Sequence, residues 1–231
     1  MISYLARKAV PVLLAVAALA STATVTHASA ESFAPGLPQV ASSDDRMSVR
    51  SLSSGDRQKL QSEVNQVLAS TKGAVQISAN EVSWNGGEPV LVLPLPGQAK
   101  TPASSPKAQQ LQAGVAGMPA SEKSPAVAQG DSCPTEWTGN DWYCFYQYKD
   151  FEGRRLQWNQ PHPYTAVYFS DYGFNDMASS WSNKGGLTVF VRGREIADDD
   201  NSCNRTLWIM DPHSRAAAVV ADNQADCFHA S

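Results

Sequence analysis

The stretch Tyr143-Cys144-Phe145-Tyr146-Gln147-Tyr148-Lys149-Asp150-Phe151-Glu152-Gly153 decides how this chain is read, together with Asn175-Asp176-Met177-Ala178-Ser179-Ser180 downstream. The aromatic run from Trp142 to Tyr148 reads as a strand. Gly153 can take the positive φ that a folded-over hairpin requires, and Tyr146 can pack beneath it. Further strand-like runs follow at turn-separated intervals: Arg155 to Trp158, Ala166 to Phe169, Leu187 to Arg192, Leu207 to Met210 and Ala216 to Val220. Short strands of this kind predict an antiparallel sandwich.

Working outward, the aromatics place the core. Of the twenty Phe, Trp and Tyr residues in the 231-residue chain, seventeen lie from Asp131 onward, and none lies between Trp84 and Trp137. Large apolar side chains make cores, so the principal folded body is expected over residues 131–231. Residues 97–130, with Pro102, Pro106, Pro119 and Pro125 among Ala, Ser, Gln, Gly and Lys, read as a linker that buries too little apolar surface to order itself.

Residues 31–96 read as a small α+β leader or accessory segment. Leu60, Val64, Val67 and Leu68 make a helical stripe behind a Ser53 or Ser54 cap, and Gly73 can end the helix. The runs Glu81 to Trp84 and Val90 to Leu93 flank Asn85-Gly86-Gly87 and predict a hairpin. One helix and one hairpin are marginal alone, which suits a pro-region or accessory piece. At the start, Arg7 and Lys8, an apolar run from Ala9 to Ala20 and Ala28-Ser29-Ala30 give residues 1–30 the form of a secretory signal peptide, its apolar run too short to span a bilayer.

The mature chain then carries 16 basic and 22 acidic residues, the acidic excess falling after residue 130. With no basic stripe, nucleic acid is not an expected partner. Four cysteines, Cys133, Cys144, Cys203 and Cys227, read as two disulfides in an exported protein. Three pairings are open; the local pairs Cys133–Cys144 and Cys203–Cys227 are favoured because each closes a short loop.

The spacing Tyr146, Phe151, Gly153 followed by Asn175-Asp176-Met177-Ala178-Ser179-Ser180 resembles the βγ-crystallin Greek-key motif with its calcium signature. A looser second copy, Asp222-Asn223-Gln224-Ala225-Asp226-Cys227, has Asp226 where Ser or Thr is expected and Cys227 in place of the last Ser. The layout over the last hundred residues is similar to a secreted bacterial peptidase-inhibitor family of that fold, that of the actinobacterial metalloproteinase inhibitors. Cys133-Pro134, Tyr143 to Tyr146, Gly173 to Asp176, Ser179-Ser180-Trp181 and Leu207-Trp208 carry this resemblance. It implies an all-β, βγ-crystallin-like Greek-key sandwich, and a secreted, monomeric inhibitor of an extracellular protease.

Two sites are expected. Calcium takes six to eight oxygens; the resemblance places a turn carbonyl at Met177 and the Ser179 hydroxyl on the ion, with Asn175, Asp176, Asp222, Asn223 and Asp226 available beside them. Without an ion, the same residues would form Asx turns and hairpin ties. The inhibitory element is sought in Asn159 to Tyr164, where Pro161 and Pro163 stiffen the chain and His162 could approach a protease metal. An ordinary strand connection is the competing reading. No nucleophile elbow, zinc-protease motif or phosphate-binding glycine loop occurs, so no enzyme is expected. The alternative to inhibition is a calcium-binding structural or interaction module.

Overall fold

The computed structural model describes residues 51–115, 130–134, 142–194 and 203–231, all within one compact unit. The expected signal peptide, the leader up to residue 50 and the linker residues 116–129 lie outside these. Helix α1, Ser54–Ser70, is capped by Ser53, whose Oγ accepts from the Asp56 amide at 3.1 Å. Its Leu60, Val64 and Val67 are buried. Strands β1 (Val75–Gln76), β2 (Glu81–Ser83) and β3 (Val90–Val92) form a meander, and helix α2 covers Pro106–Val115. Strands β4 (Tyr143–Tyr148), β5 (Glu152–Trp158), β6 (His162–Tyr168), β7 (Ser180–Asn183), β8 (Val189–Gly193), β9 (Arg205–Met210), β10 (Ser214–Ala216) and β11 (Cys227–Ala230) complete the chain.

Two antiparallel sheets result, ordered β1-β2-β3-β5-β4-β7-β10 and β6-β11-β8-β9. Strands β4 to β7 and β8 to β11 are two successive four-strand units, and each gives its third strand to the other's sheet. The fold is thus the Greek-key sandwich expected from the resemblance, with a helix and short strands in front. Inward residues alternate with outward ones, as the pleat demands. Tyr143 and Phe145 of β4, Leu156 and Trp158 of β5, and Phe228 of β11 meet in the main core. Trp158 and Phe228 lie 4.7 Å apart, centroid to centroid, edge to face.

The N-terminal segment differs from the expected accessory piece. Strand β3 pairs with β5, Leu91 opposite Leu156, so the meander extends the larger sheet. Leu60, Val64, Val67, Val82, Trp84, Leu91 and Leu93 belong to the same apolar cluster as Phe145 and Trp158. A short meander cannot bury both faces itself, but attached to an existing sheet edge it needs only one new cover, which α1 provides.

Residues 97–115 are likewise not a linker. Their apolar content is low, and they are ordered mainly by polar contacts with the outer face of β5. Arg155, fully buried, donates to Thr101 Oγ1 at 2.8 Å, the Pro102 carbonyl at 3.0 Å and Ser104 Oγ at 3.0 Å. Gln157 donates to Ser104 Oγ and to Gln112 Oε1 of α2. Glu81, also buried, accepts from the Ser105 amide at 2.7 Å and from the Ser105 hydroxyl. Burial pushes the Glu81 carboxyl above its usual range, against the pull of Ser105, Ser78 and Arg155. Gly87 lets α2 approach: a Cβ there would lie 2.6 Å from Leu111 Cβ. The run Ala216 to Val220 is also not a strand throughout; β10 ends at Ala216, and Val220 is fully exposed.

Replacing Arg155 with Met keeps the stem but removes the donor to Thr101 Oγ1, the Pro102 carbonyl, Ser104 Oγ and Gln157 Oε1. A loss of roughly 1–3 kcal/mol is expected in denaturant unfolding, since buried acceptors are left unpaired.

Candidate functional site

In the first four-strand unit the turn between β4 and β5 folds back on the sheet. Asp150 and Phe151 both have positive φ, 58° and 63°, as does Gly153 at 74°. A Cβ on Gly153 would meet Tyr148 Cδ2 at 2.7 Å and Gln147 Cβ at 2.8 Å, so only glycine fits. The hydroxyl of Ser180 holds the turn from below. It accepts from the Phe151 amide at 3.1 Å and donates to the Tyr148 carbonyl at 2.6 Å. Tyr146 packs edge to face on Phe151 at 5.4 Å, and its hydroxyl donates to the Asp131 carbonyl at 2.6 Å. Tyr146, Phe151 and Gly153 are therefore brought together in one hairpin, with Ser180 of β7 against it.

The two six-residue motifs meet across a local two-fold. The Asp176 amide donates to the Ala225 carbonyl at 3.1 Å, and the Asn223 amide donates to the Ala178 carbonyl at 3.4 Å. These are equivalent bonds, second position to fourth position, in each direction. Asp176 and Asn223 also share a left-handed φ, 54° and 55°.

The fifth and sixth positions diverge. Ser179 Oγ donates to the Gln147 carbonyl at 2.9 Å and approaches Asn223 Oδ1 at 3.4 Å. Asp226, its equivalent, accepts from the Arg194 amide at 2.7 Å, with Arg194 Nε 3.6 Å away. Cys227, the equivalent of Ser180, is bonded to Cys203. Since Cys203 precedes β9 as the folded turn precedes β5, the disulfide ties the second connection where a hydroxyl ties the first. Cys133 pairs with Cys144, so both bridges are the local ones. Sequence reasoning missed this substitution of bridge for hydroxyl, although the Ser-to-Cys change at the sixth position is its signal.

The two motifs that carry the expected calcium ligands are thus joined by backbone hydrogen bonds. Among the described residues no three His, Cys, Asp or Glu side chains converge, so an ion would depend on carbonyl, hydroxyl and amide oxygens. Asn175 Oδ1 and Asp222 Oδ1, first positions of the two motifs, are buried oxygens without hydrogen-bond partners. The Asp176 carboxyl is pushed upward by burial and by the charge of Asp226, and is held down by Arg194 and by the Asn175 amide, which donates to it at 2.6 Å. Against an ion, Asp226 is already held by Arg194, and Lys149 lies 3.5 Å from Asp222 Oδ2.

The expected inhibitory loop is placed differently from the sequence reading. His162 opens β6 opposite Ala230 and is not at a loop tip. Its ring lies 6.0 Å from Phe228, and Nε2 is 3.2 Å from Glu88 Oε1, an ion-pair distance without hydrogen-bond geometry. Burial lowers its pKa, and Glu88 opposes this. Pro161 and Pro163 are exposed on either side.

Residues 128–191 match the model of peptidase inhibitor family I36. No curated protein matches the chain. A solved structure described as "Evolution of the eye lens beta-gamma-crystallin domain fold" is similar at 15% identity and a TM-score of 0.31, over 40% of this chain and 86% of that one. The I36 segment takes in the first disulfide, the folded hairpin, β6 and the first six-residue motif, and ends within β8.

The Ser180 tie is testable within the I36 segment. Ser180→Ala strands the buried Phe151 amide and removes a donor from the Tyr148 carbonyl, so a loss of about 1–3 kcal/mol is expected. Chemical denaturation would measure it.

Proposed function

We propose that the chain is an exported, non-catalytic peptidase inhibitor that blocks an extracellular protease with a rigid surface element. The observation that carries this reading is the inhibitor-family match over residues 128–191. It falls on a disulfide-stapled, tightly cored body whose surface turns are fixed by buried hydrogen bonds. Such a body meets a protease cleft with its loops already ordered, so little conformational entropy is lost on binding. Export is supported by the signal-like first thirty residues and by two disulfides.

The test uses the mature chain from Glu31 onward, because removing residues up to 130 would strip the cover from Arg155 and the edge of β5. Titrated into a panel of secreted metallo- and serine proteases, it should abolish one activity at near-equimolar amounts. A panel left fully active at large excess would sink the proposal.

A second reading is supported by the unpartnered Asn175 Oδ1 and Asp222 Oδ1: a calcium-binding module whose ion completes the junction between the motifs. Under that reading, calcium at a hundred times its Kd adds about 2.7 kcal/mol, raising Tm by about 5–10 °C, and chelator reverses the shift. Identical melting curves in calcium and chelator would remove it.

A further inference from the structure

We infer that Tyr164 is the side chain that enters the protease's specificity pocket, and that the target is an endopeptidase selecting large aromatic residues. This rests on the inhibitor reading and names the contact within it.

Strand β6 lies at the outer edge of the smaller sheet. Its ladder with β11 is fixed at both ends, His162 opposite Ala230 and Val167 opposite Phe228. Between those pairs β6 has four residues, Pro163 to Ala166, and β11 has only His229. The surplus residues must leave the ladder, as in a bulge of unusual size. The roots of the excursion are anchored in the core. The hydroxyl of Tyr143, a buried residue, donates to the Gln160 carbonyl at 2.7 Å, the His162 ring packs on Phe228, and Val167 is buried.

At the summit Tyr164 is 94% exposed. Among the described residues the other exposed apolar side chains do not combine this with a large ring on an anchored excursion: Val75, Val115, Ile209 and Val220 are aliphatic, and Tyr148 packs along the folded hairpin beside Gly153. A ring this exposed does nothing for the fold. It does suit binding, since Tyr offers large amphipathic contact area with only two side-chain torsions to order.

The surroundings specify the partner further. From Asn159 to Ser170 there is no Asp, Glu, Lys or Arg, in a chain with 17% charged residues. The stretch itself can be desolvated in a cleft without stranding an ion, the nearby carboxylate of Glu88 lying at its His162 root and not at Tyr164. Pro161 and Pro163 lack amide donors, which disfavours continuous strand addition along this edge and leaves the side chain as the point of recognition. Without a basic residue on the excursion, a pocket selecting Lys or Arg gains nothing here.

Tyr164→Ser, Tyr164→Phe and Tyr164→Lys would be made in the mature chain and assayed, beside the wild type, against secreted endopeptidases selective for aromatic and for basic residues. The wild type should inhibit an aromatic-selective enzyme. Tyr164→Ser should weaken that inhibition by about 30-fold or more, as loss of a central anchor does. Tyr164→Phe should stay within about tenfold, since the ring supplies most of the contact. Tyr164→Lys should lose the aromatic-selective target and gain the basic-selective one. All variants should keep the wild-type Tm, because the side chain makes no core contact. Wild-type inhibition that survives Tyr164→Ser within threefold overturns this inference and leaves the inhibitor function standing. A wild type inert against every protease overturns both.

Discussion

Strand β4 is buried on both faces, and most of the architecture follows from having to cover it. Its inner residues Tyr143 and Phe145 fill the sandwich core. Its outer residues Cys144 and Tyr146 lie in a second cluster with Cys133, Trp142 and Phe151. That outer cluster needs a lid, and residues 131–134 supply one. Asp131, buried, accepts from the Cys133 amide, the Ser182 hydroxyl and Lys184 Nζ, the last at 2.6 Å. The Cys133–Cys144 bridge then pins the lid to the strand it covers. Next door, the outer residues of β5 are Arg155 and Gln157 rather than apolar groups, so their cover has to be polar. Residues 101–112 meet that requirement with Thr101, Ser104 and Gln112. A buried guanidinium left without these acceptors would be costly, which makes the N-terminal segment part of the fold and not an appendage to it.

The two Greek-key units solve one mechanical problem by different chemistry. Each has to hold the connection between its first two strands against the strand that returns beside them. In the first unit Ser180 does so with two hydrogen bonds to Tyr148 and Phe151. In the second, Cys227 does so covalently through Cys203. The fifth position follows the same split: Ser179 offers a neutral hydroxyl, whereas Asp226 is a carboxylate neutralised by Arg194. What symmetry remains is in the backbone, in the paired bonds between the second and fourth positions.

How much of this the sequence discloses depends on which force does the ordering. The sandwich was legible because apolar alternation and a glycine-bearing hairpin signature are local. The α1 stripe and its Ser53 cap were legible for the same reason. The role of residues 97–115 was not, since absence of aromatics is evidence only against an apolar core, and Arg155 looks like any surface arginine until its partners some fifty positions away are known. Strands β7 and β11 carry little strand signal in the sequence, because Ser180 to Asn183 is polar although buried, while Cys227 to Ala230 is short and ends on small residues. Two flanking prolines make the sequence around His162 read as a loop, yet its register with Ala230 makes it the first rung of an edge strand. The informative feature lay beside it, in the mismatch between the lengths of β6 and β11, and lengths of paired strands cannot be compared until the pairing is known.

That mismatch has a consequence for how the molecule can bind. An excursion whose ends are both tied to buried residues has few conformations to lose, so contact made by its summit is not offset by a large ordering cost. Two of the anchors are core residues, Tyr143 and Phe228 of the main cluster, and Glu88, beside His162, follows the turn of the meander. Rigidity at the β6 excursion is thus supplied jointly by the segment that matches the inhibitor-family model, by β11 beyond it and by the N-terminal meander before it. Three separate parts of the chain hold the base of Tyr164 in place, as the proposed recognition through a few exposed atoms would require.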